Sequence, residues 1–182
     1  LTQLGAEAHA LDVTNLDAIA GLGWKLDAEK IDTAWLVAGI YGPRSDGFPT
    51  QDDFDSVMHT NVLAAMRLLP IVAPLVASTR GKLGVLSSRM ASIGGRNGAN
   101  GSLYRASKAA LNSVLRDTAI THGPQGATCI AFHPGWVQTD MGGSAAAISA
   151  EHSVRDLRAT LANATPAANG SFLNHDGEPI PW

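Results

Sequence analysis

Tyr104 and Lys108 stand four residues apart at the head of an apolar run, Ala106-Ser107-Lys108-Ala109-Ala110-Leu111-Asn112-Ser113-Val114-Leu115. On a helix such residues share a face, with Cβ atoms roughly 5–6 Å apart. A free phenol has a pKa of about 10 and is a poor base near neutrality. A fixed ammonium beside it favours the phenolate and lowers that value. A tyrosine tuned in this way can pass a proton to or from a substrate oxygen. The same spacing also arises from a packed ring beside a solvated amine, so the elements around the pair must decide its meaning.

The chain of 182 residues is long enough for one domain with a substantial core. Its 45% hydrophobic and 16% charged residues match a globular protein. The net charge of −3, with scattered Lys and Arg, offers no basic field for nucleic acid. The one cysteine, Cys129, excludes an internal disulfide framework and fits a reducing, cytoplasmic compartment. It lies in an apolar run, where a buried, inert thiol is expected. No stretch reads as a membrane span, since Arg67 and two prolines interrupt the most apolar region, Leu63 to Ala77. The start, Leu1-Thr2-Gln3-Leu4-Gly5, is not a signal sequence and lacks an initiator Met, which suggests a missing beginning. The six histidines are dispersed and show no metal-binding spacing, so no metal is expected.

The periodicity predicts alternating strands and helices. Residues Ala6 to Val13 alternate as a strand, and Thr14 or Asn15 can cap a helix from Leu16 to Trp24. Ile31 to Gly39 is a nearly continuous apolar strand, as expected for one covered on both faces. Gly42-Pro43 through Phe48-Pro49 is a loop. Thr50 and Asp53 outline a capping box for a helix from about Gln51 toward Ser78, which Pro70 and Pro74 should kink or split. Leu83 to Ser88 is a third strand, followed by a glycine-rich loop from Gly94 to Gly101 and the Tyr104 helix, reaching about His122. Ala127 to His133 is a fourth strand, Val154 to Leu161 a helix, and Gly170 to Asn174 a last short strand. That order predicts an α/β fold, a Rossmann-like doubly wound parallel sheet with helices on both faces. Ligands of such sheets bind beyond the carboxyl ends of the strands, here Asp12, Gly39, Ser88 and His133-Pro134-Gly135.

Together these residues resemble the short-chain dehydrogenase/reductase family. Tyr104 and Lys108 match its Tyr-x-x-x-Lys motif, and Ser87-Ser88-Arg89-Met90-Ala91 is similar to its serine motif. Asn61 matches the asparagine of the preceding helix, Asp12-Val13 the adenine-contacting pair, and Val37-Ala38-Gly39 the Asn-Ala-Gly motif. Pro134-Gly135-Trp136-Val137-Gln138-Thr139-Asp140-Met141 resembles the Pro-Gly segment at the nicotinamide end. That run and the tail from Gly170 to Trp182 are similar to the C-factor and sniffer-like carbonyl reductase branch. Val37 departs from the family asparagine, which usually helps hold the central strand. The family also begins with a strand, a Thr-Gly-x-x-x-Gly-x-Gly loop, a helix and a second strand. This sequence starts just before the family's third strand, so residues 1–182 are expected to form one Rossmann-like domain without its first βαβ unit. The loop from Gly94 to Gly101 has the wrong glycine spacing to replace it and reads as a substrate-side loop.

The resemblance implies NAD or NADP as cofactor and a small-molecule carbonyl or alcohol substrate. It assigns Tyr104 as general acid/base, Lys108 as the tuner of Tyr104 and a ligand of the nicotinamide ribose, and Asn61 as holder of a relay water. Ser88 is favoured over Ser92 as donor to the developing alkoxide, because Ser88 sits at the strand end. Asp12, Val13, Ala38, Gly39, Pro134, Gly135, Val137 and Thr139, with Tyr104 and Lys108, would line the cofactor. The family is commonly dimeric or tetrameric through the helices carrying Asn61 and Tyr104. Two further readings stay open: a non-catalytic or truncated homologue acting as a binding or regulatory module, and an epimerase or dehydratase, for which the tail leaves little room.

Overall fold

The computed structural model describes residues 2–43 and 48–182. Four strands, β1 (Thr33–Leu36), β2 (Lys82–Leu86), β3 (Thr128–His133) and β4 (Ser171–Asn174), pair in parallel in that spatial order. Helix α1 (Leu16–Lys25) precedes β1, and between the strands run α2 (Gln51–Met58), α3 (Ala64–Ser78), α4 (Ser102–His122) and α5 (Ala150–Asn163). The sheet is therefore the α/β arrangement expected. The expected loop between Gly42 and Pro49 lies partly outside the described residues.

Strand alternation divides the core. Leu83 and Val85 of β2, Cys129 and Ala131 of β3 and Phe172 of β4 pack with Leu69, Ala73 and Val76 of α3 and Leu111 and Leu115 of α4. On the other face Ile130 and Phe132 meet Leu157 and Leu161 of α5. The Trp35 and Phe132 rings are 5.3 Å apart there. Helices thus cover both faces, and every strand ends on one side of the sheet.

Four expectations change. Residues 6 to 13 form no strand, and residues 3 to 10 are exposed. A strand needs a neighbour for its ladder, and no described strand lies outside β1. For the same reason only Thr33–Leu36 of the long apolar run pairs; it is an edge strand, and Val37 beyond it is 59% exposed. The prolines do not split their helix, which runs unbroken through both. Pro70 and Pro74 are exposed and lie one turn apart with exposed Met66. The carbonyls that lose an N–H partner, those of Met66 and Pro70, therefore face water rather than the core. The Gln51–Ser78 rod has the length and hydropathy to cross a membrane, contrary to the sequence reading, yet half of its most apolar stretch is buried against the rest of the fold.

The helix caps follow the sequence. Asn15 Oδ1 accepts from Ala18 N–H at 3.0 Å, and the Thr50–Asp53 capping box is complete. Phe132 is fully buried between β1 and α5. Phe132→Ala is expected to lower the unfolding free energy by about 3–5 kcal/mol, read as a drop in the urea midpoint.

Candidate functional site

The regular α-helical pattern breaks where Asn61 sits. Residues His59–Leu63 form a π turn between α2 and α3, with Ala64 N–H bonding to His59 C=O. The cause is the Asn61 side chain, which is 1% exposed and reaches across to the chain leaving β1. Its Oδ1 accepts from Ile40 N–H at 2.8 Å, and its Nδ2 donates to Ile40 C=O at 2.8 Å. Nδ2 also donates to Ser107 Oγ at 2.9 Å, and Ser107 Oγ donates to Tyr104 C=O at 2.9 Å. One amide thus ties the Gly39-Ile40 segment, the α2–α3 rod and α4 together. π turns recur at functional sites for this reason.

Tyr104 lies in the first turn of α4, whose N-cap is Gly101 at φ 65°. A Cβ on Gly101 would sit 2.7 Å from Tyr41 Oη, so glycine meets both the conformation and the space. The Tyr104 ring stacks on Tyr41, centroids 4.6 Å apart at 25°. The Ser88 side chain acts on the Tyr104 hydroxyl in the direction that favours the phenolate. Ser88 Oγ also accepts from Met90 N–H at 3.2 Å, capping a short turn after β2. Arg105 is buried; its Nε donates to Asn100 C=O at 2.6 Å and its Nη1 to Met90 C=O at 3.3 Å. It pins the glycine-rich loop and the Ser88 turn to the helix that carries Tyr104.

Lys108 is buried one turn along, and its Nζ donates to Leu86 C=O at 2.8 Å. A Cβ on Gly39 would lie 3.0 Å from Lys108 Nζ and 3.2 Å from Asn61 Oδ1, so this position needs the missing side chain. The structure therefore brings Asn61, Ser88, Tyr104, Lys108 and Gly39 together at the carboxyl ends of β1 and β2. Ser92 is separate: its Oγ donates to Pro181 C=O at 2.5 Å and accepts from Gly95 N–H at 2.9 Å, anchoring the tail.

The electrostatics differ from the sequence expectation. Burial pushes the Tyr104 phenol above 10, against the lowering effect of Ser88, and Tyr41 adds to the rise. Lys108 is not among the groups that shift it; Nζ is 5.9 Å from the Tyr104 ring centroid and commits one of its three N–H donors to Leu86 C=O. Burial instead lowers Lys108 itself to about 8. Desolvation outweighs charge pairing because both groups are held out of water. Asn61 is likewise less free than expected for a water holder, since both Nδ2 protons are used.

The other candidates lie along the strand ends. Ala38 is exposed just past β1. Pro134, Gly135 and Val137 follow β3 and are half-buried; Thr139 is exposed, its Oγ1 accepting from Gly142 N–H at 3.1 Å. Ser153 Oγ donates to Pro134 C=O at 2.6 Å and holds this segment on α5. Asp12 is exposed and Val13 half-buried ahead of α1. The Asp12 carboxylate accepts from Thr14 N–H at 2.8 Å and Thr14 Oγ1 at 2.7 Å, so its Asx turn leads into the helix while Asn15 caps it. Ser87 Oγ and His133 Nδ1 are buried at the ends of β2 and β3 without a hydrogen-bond partner. With the Gly39 cradle, these groups fit the nicotinamide end of a dinucleotide. The family's pyrophosphate loop does not occur in these 182 residues.

Sequence reasoning missed Tyr41, Ser107 and Arg105. Ser107 had a signal, because position i+3 from Tyr104 shares its helical face. Tyr41 had none, since its partner Tyr104 is distant in the chain, and Arg105 joins Asn100 nearby to Met90 across the glycine-rich loop. The histidines also proved less dispersed than expected: His152 and His175 meet at Asp156. Cys129 matches expectation, buried with its thiol pushed up to about 11.

The Lys108 shift has a measurable consequence. Its folded pKa of about 8 lies below the ordinary 10.5. Between those values the unfolded chain binds more protons, so this contribution to stability grows as pH rises through 8. Cys129 and Tyr104 act in the opposite sense at higher pH, and subtracting a Lys108→Met variant cancels them. The difference in unfolding free energy, wild type minus Lys108→Met, is expected to rise by about 1 kcal/mol from pH 8 to pH 9. A flat difference in denaturant titrations would contradict the burial of this amine.

The chain is similar to proteins of known family. A family model described as enoyl-(acyl carrier protein) reductase matches residues 1–170. The C-signal protein of Myxococcus xanthus is 34% identical over 123 residues, 67% of this chain and 74% of that protein. Among solved structures, the carbonyl reductase Sniffer of D. melanogaster superposes with a TM-score of 0.86 at 28% identity, covering 96% of this chain and 77% of that one. A carbonyl reductase from Pseudomonas aeruginosa PAO1 in complex with NADP gives 0.80 at 32% identity, covering 97% and 77%. The chain belongs to the short-chain dehydrogenase/reductase family, close to its sniffer-like carbonyl reductase branch, and is an NAD(P)-dependent oxidoreductase of carbonyl and alcohol substrates.

Proposed function

We propose that this chain reduces a small carbonyl compound to a secondary alcohol, with Tyr104, Ser88, Lys108 and Asn61 as the working set. The observation that carries the reading is Tyr104 buried together with Ser88 and, one helical turn along, Lys108. The nicotinamide, when bound, supplies the hydride. Burial keeps Tyr104 protonated at neutral pH, the state that can deliver a proton from Oη to the carbonyl oxygen. Ser88 donates a hydrogen bond to the same oxygen as negative charge grows on it. Lys108, held at the Leu86 carbonyl beside Gly39, binds the nicotinamide ribose in this reading. Asn61 is a positioning residue, acting through Ile40 and Ser107 rather than on the substrate. Ala38, Gly39, Pro134, Gly135, Val137 and Thr139 would line the nicotinamide end, and Asp12 and Val13 the adenine end.

The same reading takes residues 1–182 as one Rossmann-like domain working in the cytoplasm, in keeping with a lone buried thiol. It also takes the chain to self-associate through the outer faces of α2–α4. Exposed Phe54, Met66 and Ile120 on those helices support this. Light scattering is expected to give a dimer or tetramer, and a monomer would remove that part.

The central test is oxidation of NADH and NADPH by the full chain with a panel of ketones. Tyr104→Phe is expected to reduce kcat by about 10²–10⁴-fold while cofactor binding, followed by nicotinamide fluorescence, persists. Unchanged turnover in Tyr104→Phe would sink the mechanism. Absence of cofactor binding in the wild-type chain would sink the enzyme reading for this polypeptide.

A further inference from the structure

His152, Asp156 and His175 take no part in the chemistry described above. His152 and Asp156 lie one turn apart on α5, while His175 follows β4. The fold converges them. Asp156 Oδ2 is 3.0 Å from His152 Nε2 and 3.0 Å from His175 Nδ1. All three donor atoms lie within 4.8 Å of one another. The two imidazoles are edge to face at 87°, so their nitrogens meet at the carboxylate without the rings stacking.

We propose that these three side chains form a binding site for a divalent transition metal of the zinc class. Zinc binds imidazole nitrogen and carboxylate oxygen at ~2.0–2.2 Å, which places neighbouring donors ~3–4 Å apart. The cluster already has this spacing around Oδ2. Two nitrogens and one oxygen suit Zn²⁺, Co²⁺, Ni²⁺ or Cu²⁺, whereas Ca²⁺ and Mg²⁺ take oxygen ligands. Two ligands stand on α5 at the i, i+4 spacing, and the third lies in the turn just beyond β4. Thr160 Oγ1 donates to His175 C=O at 2.8 Å and fixes the backbone there. Arg155 Nε lies 3.4 Å from Asp156 Oδ1 and so competes for the other carboxylate oxygen, leaving Oδ2 to the ion.

Access is present as well. The Asp156 and His175 side chains are largely covered, at 22% and 13% exposure, while His152 is at 47%. An open hollow lined by Asp156, Thr160, Asp176 and Gly177 reaches the carboxylate from solvent, so water can fill the remaining coordination positions. The site also abuts the segment after β3. A Cβ on Gly135 would lie 3.1 Å from His175 Cδ2, and Ser153, on the same helix as two of the ligands, holds Pro134. A bound ion would therefore clamp α5 and the end of β4 against Pro134-Gly135.

The test uses the full, tag-free chain stripped with a chelator and titrated with Zn²⁺ by calorimetry. One equivalent should bind per chain, with a rise in Tm. Co²⁺ in place of Zn²⁺ should give visible absorption bands. Asp156→Asn and His175→Gln should each weaken Zn²⁺ binding by more than the ~10–100-fold typical of losing an outer-shell partner. His152→Gln, a change at the exposed ligand, gives a third reading if either of those variants fails to fold. His9→Gln, which removes the separate His9–Glu7 contact, should leave binding unchanged. Equal binding by wild type and the folded ligand variants, or no binding by wild type, would reduce the cluster to a hydrogen-bonded clamp and overturn the proposal.

Discussion

The carboxamide of Asn61 satisfies both backbone groups of Ile40 from the neighbouring α2–α3 rod, and much of the site rests on that exchange. Ile40 follows an edge strand only four residues long, so its N–H and C=O have no ladder partner of their own. A buried backbone group left unpaired is costly. Asn61 supplies the missing pairing, and the helix accepts a π turn to let it reach. Because Nδ2 also holds Ser107, the same side chain sets where α4 lies relative to β1. Gly39, Lys108 and Tyr104 inherit their positions from it.

Burial, more than charge pairing, sets the electrostatics around that frame. Lys108 faces a carbonyl and no carboxylate, so desolvation lowers it toward 8. Tyr104 is sandwiched between Tyr41 and the Ser88 turn, and desolvation raises it. A buried neutral phenol is suited to giving up a proton as charge develops on a substrate oxygen, since the low-dielectric surroundings strengthen each directed hydrogen bond there. Arg105 contributes from behind, holding the glycine-rich loop to the helix by backbone carbonyls instead of an ion pair.

Most elements were legible from local pattern. The caps at Asn15 and Thr50, the helix from the glycine loop to His122 and the β3 strand all follow from residues within a few positions of one another. The failures share one physical origin. Residues 6 to 13 alternate like a strand, but alternation cannot supply a neighbour. The apolar run from Ile31 to Gly39 looked covered on both faces, but coverage depends on what lies beside it. Pro70 and Pro74 looked disruptive, yet a four-residue spacing puts them together on the face where water can serve the freed carbonyls.

The sequence by itself determined the chemistry available: a Tyr and a Lys one helical turn apart, a serine at a strand end, an asparagine within a helix and small residues after each strand. These depend on residue identity and short spacings, which the chain carries directly. Only the tertiary structure decided which serine meets Tyr104, what Lys108 binds, where Tyr41 stacks and that two remote histidines share one aspartate. Those outcomes depend on contacts between segments tens of residues apart and on how much water each contact excludes. Neither quantity exists until the sheet has brought its strand ends to one side.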